Sequence, residues 1–137
     1  MIIMPEKQKI LVVDDNQFVA DLVSAGLEGD GYEVEAFTDP QKALDKLPDG
    51  YDGLFTDFLM GTMNGVQFLR AAREKGYDGP AFLMTGTPEE LTEYLSNNRL
   101  EEAFARYCDG VMQKPIPNMC EPGRLLREYK PREHKPQ

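Results

Sequence analysis

The sequence contains few cysteines and no long hydrophobic run. Two cysteines are present, Cys108 and Cys120, and neither lies in a context that indicates a disulfide framework. No stretch approaches the roughly 20 consecutive apolar residues that a membrane-spanning helix requires. The residues before Lys9 are too few, and become polar too early, for a secretory signal. These absences favour a cytoplasmic protein with reduced thiols.

Basic residues are scarce relative to acidic ones. Lys and Arg number 15 against 24 Asp and Glu, which gives a net charge of −9. This excess of negative charge argues against binding to nucleic acid phosphates and to anionic membrane surfaces. The 137 residues, of which 41% are hydrophobic and 28% charged, fit one globular domain with one core.

Strand-like and helix-like segments alternate along the chain. Short apolar or alternating runs predict strands at residues 9–13, 32–37, 53–56, 80–84 and 110–113. Apolar residues at helical spacing predict helices between them. The pairs Asp39-Pro40 and Thr87-Pro88 each supply an N-cap followed by a proline at the first helical position. After Pro88 the apolar spacing breaks at residues 96–98, which indicates two short helices instead of one long helix.

The alternation predicts an α/β fold, a doubly wound five-stranded parallel sheet in the order 2-1-3-4-5 with helices on both faces. That order places the carboxyl ends of the first and third strands side by side. Asp14 and Asp15 directly follow the first strand, and Asp57 follows the third. Lys114 follows the fifth strand. We therefore expect three carboxylates and one ammonium group at the same edge of the sheet.

Three clustered carboxylates limit the chemistry of this edge. Charges of one sign a few ångströms apart repel, so the acids share a proton or bind a cation, and oxygen ligands with an open, hydrated side suit Mg²⁺. A carboxylate such as that of Asp57 can also attack phosphorus to form an aspartyl phosphate. This transfer chiefly needs charge neutralisation. Mg²⁺, the Lys114 ammonium and the Thr85 hydroxyl would supply it, and Gly86 would leave room for the phosphoryl group.

The site residues lie in four motifs, in order along the chain: Leu11-Val12-Val13-Asp14-Asp15, Leu54-Phe55-Thr56-Asp57-Phe58-Leu59-Met60, Met84-Thr85-Gly86 and Lys114-Pro115-Ile116. The set resembles the receiver domain of two-component response regulators, which has a flavodoxin-like fold. The resemblance extends over residues 9–129. Residues 1–8 are then an N-terminal extension, and residues 130–137 a tail that is expected to be disordered.

The resemblance implies a role for each site residue. Asp57 would be the phosphoacceptor, supplied by a histidine kinase or a histidine phosphotransfer protein. The implied Mg²⁺ ligands are the carboxylates of Asp14, Asp15 and Asp57, with Asp15 more directly bound than Asp14, and the backbone carbonyl of Leu59. Thr85 and Lys114 would bind the phosphoryl group and relay its presence. The protein would not be an enzyme, but a phosphoacceptor that assists its own phosphotransfer and autodephosphorylation.

Three functions compete. The leading hypothesis is a single-domain receiver, a monomer or weak dimer, that signals by contact with a downstream protein target, because no output domain follows residue 129. The alternative is an interaction module that kept the site but works independently of phosphorylation. The third is a carboxylate-nucleophile phosphohydrolase. Those enzymes typically carry a second aspartate two residues after the nucleophile, where this chain has Leu59, and the length leaves no room for a cap domain.

Two departures from the family pattern concern the output of the domain. Val111 stands where an aromatic residue usually precedes the lysine by three positions. Valine has no ring to turn inward, so phosphorylation is expected to be read out through the Thr85 loop. Thr85 and Lys114 are 29 positions apart, more than is usual. The extra residues are expected to form a short helix before the usual fourth one, or else are a tolerated surface insertion.

Two further departures concern backbone conformation. Gly61 occupies a position, four residues after the phosphoacceptor, where the family often has proline, and glycine widens the conformations open to that loop. A short last helix is expected at residues 123–129, and Pro117 and Pro122 are expected to interrupt it. None of these changes removes a residue that phosphotransfer would need.

Overall fold

A computed structural model of the chain describes residues 6–115 and 120–131. The strands are β1 (Lys9–Val13), β2 (Glu33–Phe37), β3 (Gly53–Asp57), β4 (Ala81–Thr85) and β5 (Gly110–Gln113). The α-helices are α1 (Gln17–Gly29), α2 (Pro40–Lys46), α3 (Gly65–Glu74), α4 (Pro88–Asn97), α5 (Glu101–Tyr107) and α6 (Glu121–Glu128). A 3₁₀ turn, Leu47–Asp49, follows α2.

The five strands form a parallel sheet in the order β2-β1-β3-β4-β5, which confirms the predicted fold class and strand order. Val12 of β1 lies opposite Ala36 on one side and Phe55 on the other. The carboxyl ends of β1 and β3 are therefore neighbours. The helices that follow these two strands leave toward opposite faces of the sheet, which opens a crevice between the strand ends.

Successive residues of each strand point to opposite faces of the sheet, and each face has its own core. Leu11 and Val13 of β1 pack with residues of α2, α3, α4 and α5. Ile10 and Val12 pack on the other face, with residues of α1 and α6. Both central strands, β3 and β4, are buried along their whole length. Burial on two faces explains why the two strands begin with apolar runs that do not alternate, before the buried polar residues at their carboxyl ends.

The two predicted proline-led helix starts differ in their capping. The Asp39 side chain accepts a hydrogen bond from the backbone N–H of Gln41 (2.9 Å), as predicted for the N-cap of α2. The predicted side-chain cap on α4 was wrong. The helix begins at Pro88, but the Thr87 side chain makes no capping bond. Instead Oγ1 of Thr87 lies 3.4 Å from Oγ1 of Thr85, and the backbone N–H of Thr87 donates to the same Thr85 oxygen (3.0 Å).

The two short helices predicted after β4 are present as α4 and α5. The first continues through Asn97, slightly further than the apolar spacing indicated, and residues 98–100 turn the chain. Arg99 adopts the left-handed conformation there, with φ of 54°. Both helices contribute apolar side chains to the same core. That the first of the two is the additional helix stays a prediction.

The last helix differs from its prediction. It begins at Glu121, two residues earlier than expected, and Pro122 lies in its first turn. Pro122 therefore does not interrupt the helix, since the first-turn N–H that proline lacks has no intrahelical partner in any helix. Pro117 lies outside the described residues.

The predicted segments outside residues 9–129 are described only in part. The carbonyl of Gln8 accepts a hydrogen bond from the backbone N–H of Glu33 (2.9 Å), so the end of the extension contacts β2. Lys130 and Pro131 are in neither a helix nor a strand. Residues 1–5 and 132–137 lie outside the described residues. Within the described ranges, no helix has the length and apolar character to cross a bilayer.

Arg73 of α3 joins segments that are distant in sequence. Its guanidinium donates to the carbonyl of Tyr107 at the end of α5 (2.9 and 3.1 Å), and to the carbonyls of Tyr77 (3.1 Å) and Gly79 (2.7 Å). It also pairs with the carboxylate of Asp109 (3.2 Å). The two charged side chains are 13% and 11% exposed. This largely buried arginine fastens the end of α5 to α3 and to the loop before β4.

We expect Arg73→Met to lower the free energy of unfolding by about 3 kcal/mol, because it removes the positive charge beside the largely buried Asp109 carboxylate and the donor of several carbonyls. Urea unfolding measures the loss. The matched control is Arg70→Met on the same helix, whose pair with Glu74 is well exposed, and which should cost less than about 0.5 kcal/mol. Equal losses in the two variants would contradict an anchoring role for Arg73.

Candidate functional site

Three carboxylates meet at the carboxyl edge of the sheet. Asp14 and Asp15 follow β1, and Asp57 ends the neighbouring strand β3. One carboxylate oxygen from each of the three lies within 4.8 Å of the others. Asp14 and Asp57 are buried, whereas Asp15 is exposed. The cluster thus has a buried floor and one side open to water.

Lys114 reaches this cluster from the end of β5. Its ammonium lies 2.7 Å from Oδ2 of Asp14 and 2.8 Å from Oδ1 of Asp57. The backbone N–H of Lys114 donates to the carbonyl of Thr85 (2.8 Å), which fixes the lysine beside the end of β4. The peptide bond between Lys114 and Pro115 is cis. The Lys114 ammonium, with its two short contacts, bridges the buried carboxylates of Asp14 and Asp57.

The electrostatics of the cluster are unbalanced. The pKa of Asp57 is raised to about 6, chiefly by burial and also by the negative charge of Asp14, while hydrogen bonding and ion pairing with Lys114 act in the opposite direction. Burial alone would lower the pKa of Lys114, but the carboxylates of Asp14 and Asp57 outweigh it and hold that pKa above its usual value. The lysine is firmly protonated, yet one positive charge does not compensate three carboxylates.

The donor set suits a small divalent cation. All candidate ligand atoms are carboxylate or carbonyl oxygens, and Asp15 opens the cluster to water, as Mg²⁺ coordination requires. Oδ1 of Asp14 accepts from the backbone N–H of Asn16 (2.9 Å), and Oδ2 accepts from Lys114. Because both oxygens of Asp14 already have donors and Asp15 is exposed, Asp15 has the freer oxygens of this pair for a cation.

The hydroxyl of Thr85 lies at the end of β4, next to the same edge. Its side chain is buried, and Oγ1 accepts from the backbone N–H of Thr87 (3.0 Å). Oγ1 of Thr87 lies 3.4 Å from Oγ1 of Thr85. A Cβ atom added at Gly86 would make an ordinary 3.7 Å contact with Cβ of Lys114. Local packing therefore does not require glycine at residue 86, and the room that it would leave for a phosphoryl group stays a prediction.

Thr87 is a site neighbour that the sequence analysis did not include. It occupies the N-cap position of α4, and its backbone N–H and hydroxyl both face the hydroxyl of Thr85. The signal was the pair of hydroxyl residues two positions apart, because a threonine side chain can accept from the backbone N–H two residues on.

Three other predicted positions have plain structural settings. Leu59, two residues after Asp57, has a side chain that is 50% exposed. Val111 on β5 is 45% exposed and brings no ring to the site. Gly61 has φ of +80°, in the left-handed region. Proline cannot adopt that φ, so the loop after β3 has a conformation that requires the departure from the common family residue.

Comparison with known proteins identifies relatives of the chain. The model of the response regulator receiver domain matches residues 10–119. The transcriptional regulatory protein CpxR of Escherichia coli K12 is 36% identical over 87 residues, which are 64% of this chain and 37% of that protein. The putative two-component response regulator ARR21 of Arabidopsis thaliana is 31% identical over 113 residues, 80% of this chain and 17% of that protein. The chain thus matches only a minor part of these curated relatives.

Solved structures show the same architecture. The chemotaxis protein CheY4 of Vibrio cholerae is 30% identical, with a TM-score of 0.69 over 89% of this chain and 95% of that one. A CheY-like receiver domain protein of Methanospirillum hungatei is 23% identical, with a TM-score of 0.74 over 90% and 93% of the two chains. At that identity the second likeness concerns the fold alone.

The raised pKa of Asp57 predicts a pH-dependent effect on stability. The folded protein holds the Asp57 proton more tightly than the unfolded chain does, because the pKa of Asp57 is about 6 in the fold and about 3.8 in the unfolded chain. The buried negative charge therefore destabilises the fold above pH 6, and this penalty fades as the pH falls toward 4. We expect Asp57→Asn to raise the free energy of unfolding by on the order of 2 kcal/mol at pH 8 in EDTA.

Urea unfolding at pH 8 and pH 5 measures this difference. The gain of Asp57→Asn should shrink at pH 5, and Asp78→Asn, a change at an exposed acid away from the cluster, should show neither the gain nor its pH dependence. A gain of the same size at both pH values would contradict a buried charge as its cause.

Proposed function

The chain belongs to the response regulator receiver domain family, and on this basis we propose that it is a switch that accepts a phosphoryl group on Asp57. The observation that carries the proposal is the arrangement at the edge of the sheet. There the carboxylate of Asp57 lies within reach of two further acids and 2.8 Å from the ammonium of Lys114. An acceptor oxygen, cation ligands and a fixed positive charge therefore face one volume.

Mg²⁺ is the cofactor of this proposal. Asp15 and Asp57 would be the direct carboxylate ligands, Leu59 would contribute its backbone carbonyl, and the buried Asp14 would add negative charge beside them. When bound, the ion neutralises charge on the phosphoryl oxygens. The pairing of Asp14 with Lys114 keeps that buried acid in place while Asp57 reacts.

The transfer step needs little more from the protein than position and charge. A carboxylate oxygen of Asp57 forms a bond to phosphorus while the bond from phosphorus to the donor histidine nitrogen breaks, and that nitrogen keeps the electron pair. The Lys114 ammonium, next to Asp57, binds a phosphoryl oxygen and stabilises the negative charge that this oxygen carries during transfer. The donor is a histidine kinase or a histidine phosphotransfer protein in the cytoplasm.

Thr85 is the residue through which the phosphoryl group is sensed. A hydroxyl has one donor hydrogen and two acceptor lone pairs. Oγ1 of Thr85 therefore donates to a phosphoryl oxygen while it still accepts from the backbone N–H of Thr87. Thr87 immediately precedes the first turn of α4. This path leads from the phosphoryl group to a surface helix and does not need an aromatic ring at residue 111, where the chain has Val111. The output is contact between the receiver, as a monomer or weak dimer, and a downstream protein.

The exposed Val111 favours a second function, an interaction module that binds its target regardless of phosphorylation. Its side chain offers no second element to couple the site to the surface. The two functions share the same fold and differ in whether the surface responds to Asp57.

We expect acetyl phosphate with Mg²⁺ to add one phosphoryl group to the protein, detected as a mass increase of the intact chain. Asp57→Asn should abolish the increase, because an amide is not a nucleophile toward phosphorus. EDTA should suppress it in the unchanged protein. The control is Asp52→Asn, an exposed acid near the opposite end of β3, which should be labelled like the unchanged protein. Undiminished labelling of Asp57→Asn would refute the assignment.

The two functions give different results in a binding experiment with beryllofluoride, which mimics a bound phosphoryl group. Immobilised protein is exposed to cell extract with and without beryllofluoride and Mg²⁺, and the retained proteins are compared. The switch predicts at least one partner that is enriched severalfold by beryllofluoride, and loss of that enrichment in Asp57→Ala. Identical partners in equal amounts under all conditions would favour the phosphorylation-independent module.

A further inference from the structure

A shallow groove separates the loop after β3 from α4. Its volume is about 310 Å³. The loop side is formed by Phe58, Leu59 and Asn64, and the helix side by Glu90, Glu93, Tyr94 and Asn97. A second depression of about 540 Å³ on the outer side of α4 shares Glu93 and Asn97 with it. We call this continuous surface the α4 groove.

The floor of the α4 groove is apolar. The rings of Phe58 and Tyr94 pack edge to face, with their centroids 5.8 Å apart. Leu59 lies beside them with half of its side chain in water. Few large hydrophobic side chains are this exposed in the described part of the chain. An exposed leucine next to an aromatic pair is a site where an apolar side chain of a partner gains by excluding water.

The helix side of the α4 groove is acidic. Glu89, Glu90 and Glu93 are exposed, and α4 contains no lysine or arginine. In the described ranges, none of the three forms a salt bridge with a basic side chain. These carboxylates are therefore available to a cationic partner.

We propose that the α4 groove binds a cationic amphipathic segment of a partner protein, with an apolar side chain on Leu59 and lysine or arginine side chains paired with Glu90 and Glu93. Charge complementarity selects this occupant. A symmetric dimer through the same face would place the same acids opposite one another, and anionic phospholipids would be repelled. The open, shallow shape fits an extended or helical segment better than a small molecule, which needs an enclosed pocket.

The position of the α4 groove couples it to the edge of the sheet. Its loop side begins one residue after Asp57, and its helix side begins in the first turn after Thr87. This coupling rests on the proposed function. A bound phosphoryl group and Mg²⁺ would restrain Leu59 through its carbonyl and α4 through Thr85. Ordering both walls before binding lowers the entropy cost of association, so beryllofluoride with Mg²⁺ should tighten binding of the segment.

The test uses a fluorescein-labelled synthetic helix-forming peptide of Lys and Leu, and its Glu/Leu counterpart, with the full chain. Fluorescence anisotropy should give saturable binding of the basic peptide and none of the acidic one. We expect Glu90→Gln with Glu93→Gln to weaken binding about tenfold, as the loss of two ion pairs at the upper end of surface values implies. The matched control, Glu101→Gln with Glu102→Gln on α5, removes the same charge outside the groove and should weaken binding less than about twofold.

Amide chemical shifts locate the peptide. We expect the amide shifts of Phe58, Leu59 and Tyr94 to change. Shift changes confined to other residues, or equal weakening of peptide binding by the two double variants, would overturn the proposed binding site. Failure of the proposed function gives a different pattern. If acetyl phosphate does not label Asp57 while the basic peptide still shifts the groove residues, the groove stands and the phosphoacceptor assignment fails.

Discussion

The bridge that Lys114 makes between Asp14 and Asp57 is the interaction on which the arrangement of the site depends. It joins the ends of β1, β3 and β5 across the width of the sheet, with contacts of 2.7 and 2.8 Å to the two acids. Without this cation, two buried carboxylates on adjacent strands would face each other in a medium that screens poorly. One lysine permits both acids to be buried but does not neutralise the cluster, as the raised pKa of Asp57 indicates. Lys114 thus holds the two buried acids together, but the cluster still carries more negative than positive charge.

Much of this architecture could be predicted from the sequence because it follows from periodic burial. Residues of β3 and β4 are buried on both faces, so their apolar runs identify central parallel strands. Once the strand order is 2-1-3-4-5, sheet geometry alone brings Asp14, Asp15 and Asp57 together, since residues that follow adjacent parallel strands share one edge. The prediction needed no knowledge of side-chain conformation.

Features that depend on the orientation of a side chain or on contacts between distant residues could not be predicted in this way. The side-chain cap of α4 is absent because the Thr87 hydroxyl lies toward that of Thr85, and the sequence pattern does not decide which way a threonine side chain turns. The start of α6 was placed too late because Pro122 was taken as an interruption, whereas it lies in the first turn. Nothing in the sequence distinguishes Arg73 from the other arginine of α3. Its hydrogen bond to Tyr107, 34 residues away, is a property of the folded chain alone.

The anchoring of α5 by Arg73 has a consequence for how motion spreads through the molecule. The end of α5 is fastened to α3 and to the loop before β4, while α4 starts directly from the Thr85 segment and ends at the left-handed turn of Arg99. The two helices therefore differ in mechanical compliance. We expect a displacement that begins at Thr85 to reach α4 first, because Oγ1 of Thr85 binds the residue that precedes this helix. In this molecule α5 would be the fixed support against which α4 moves.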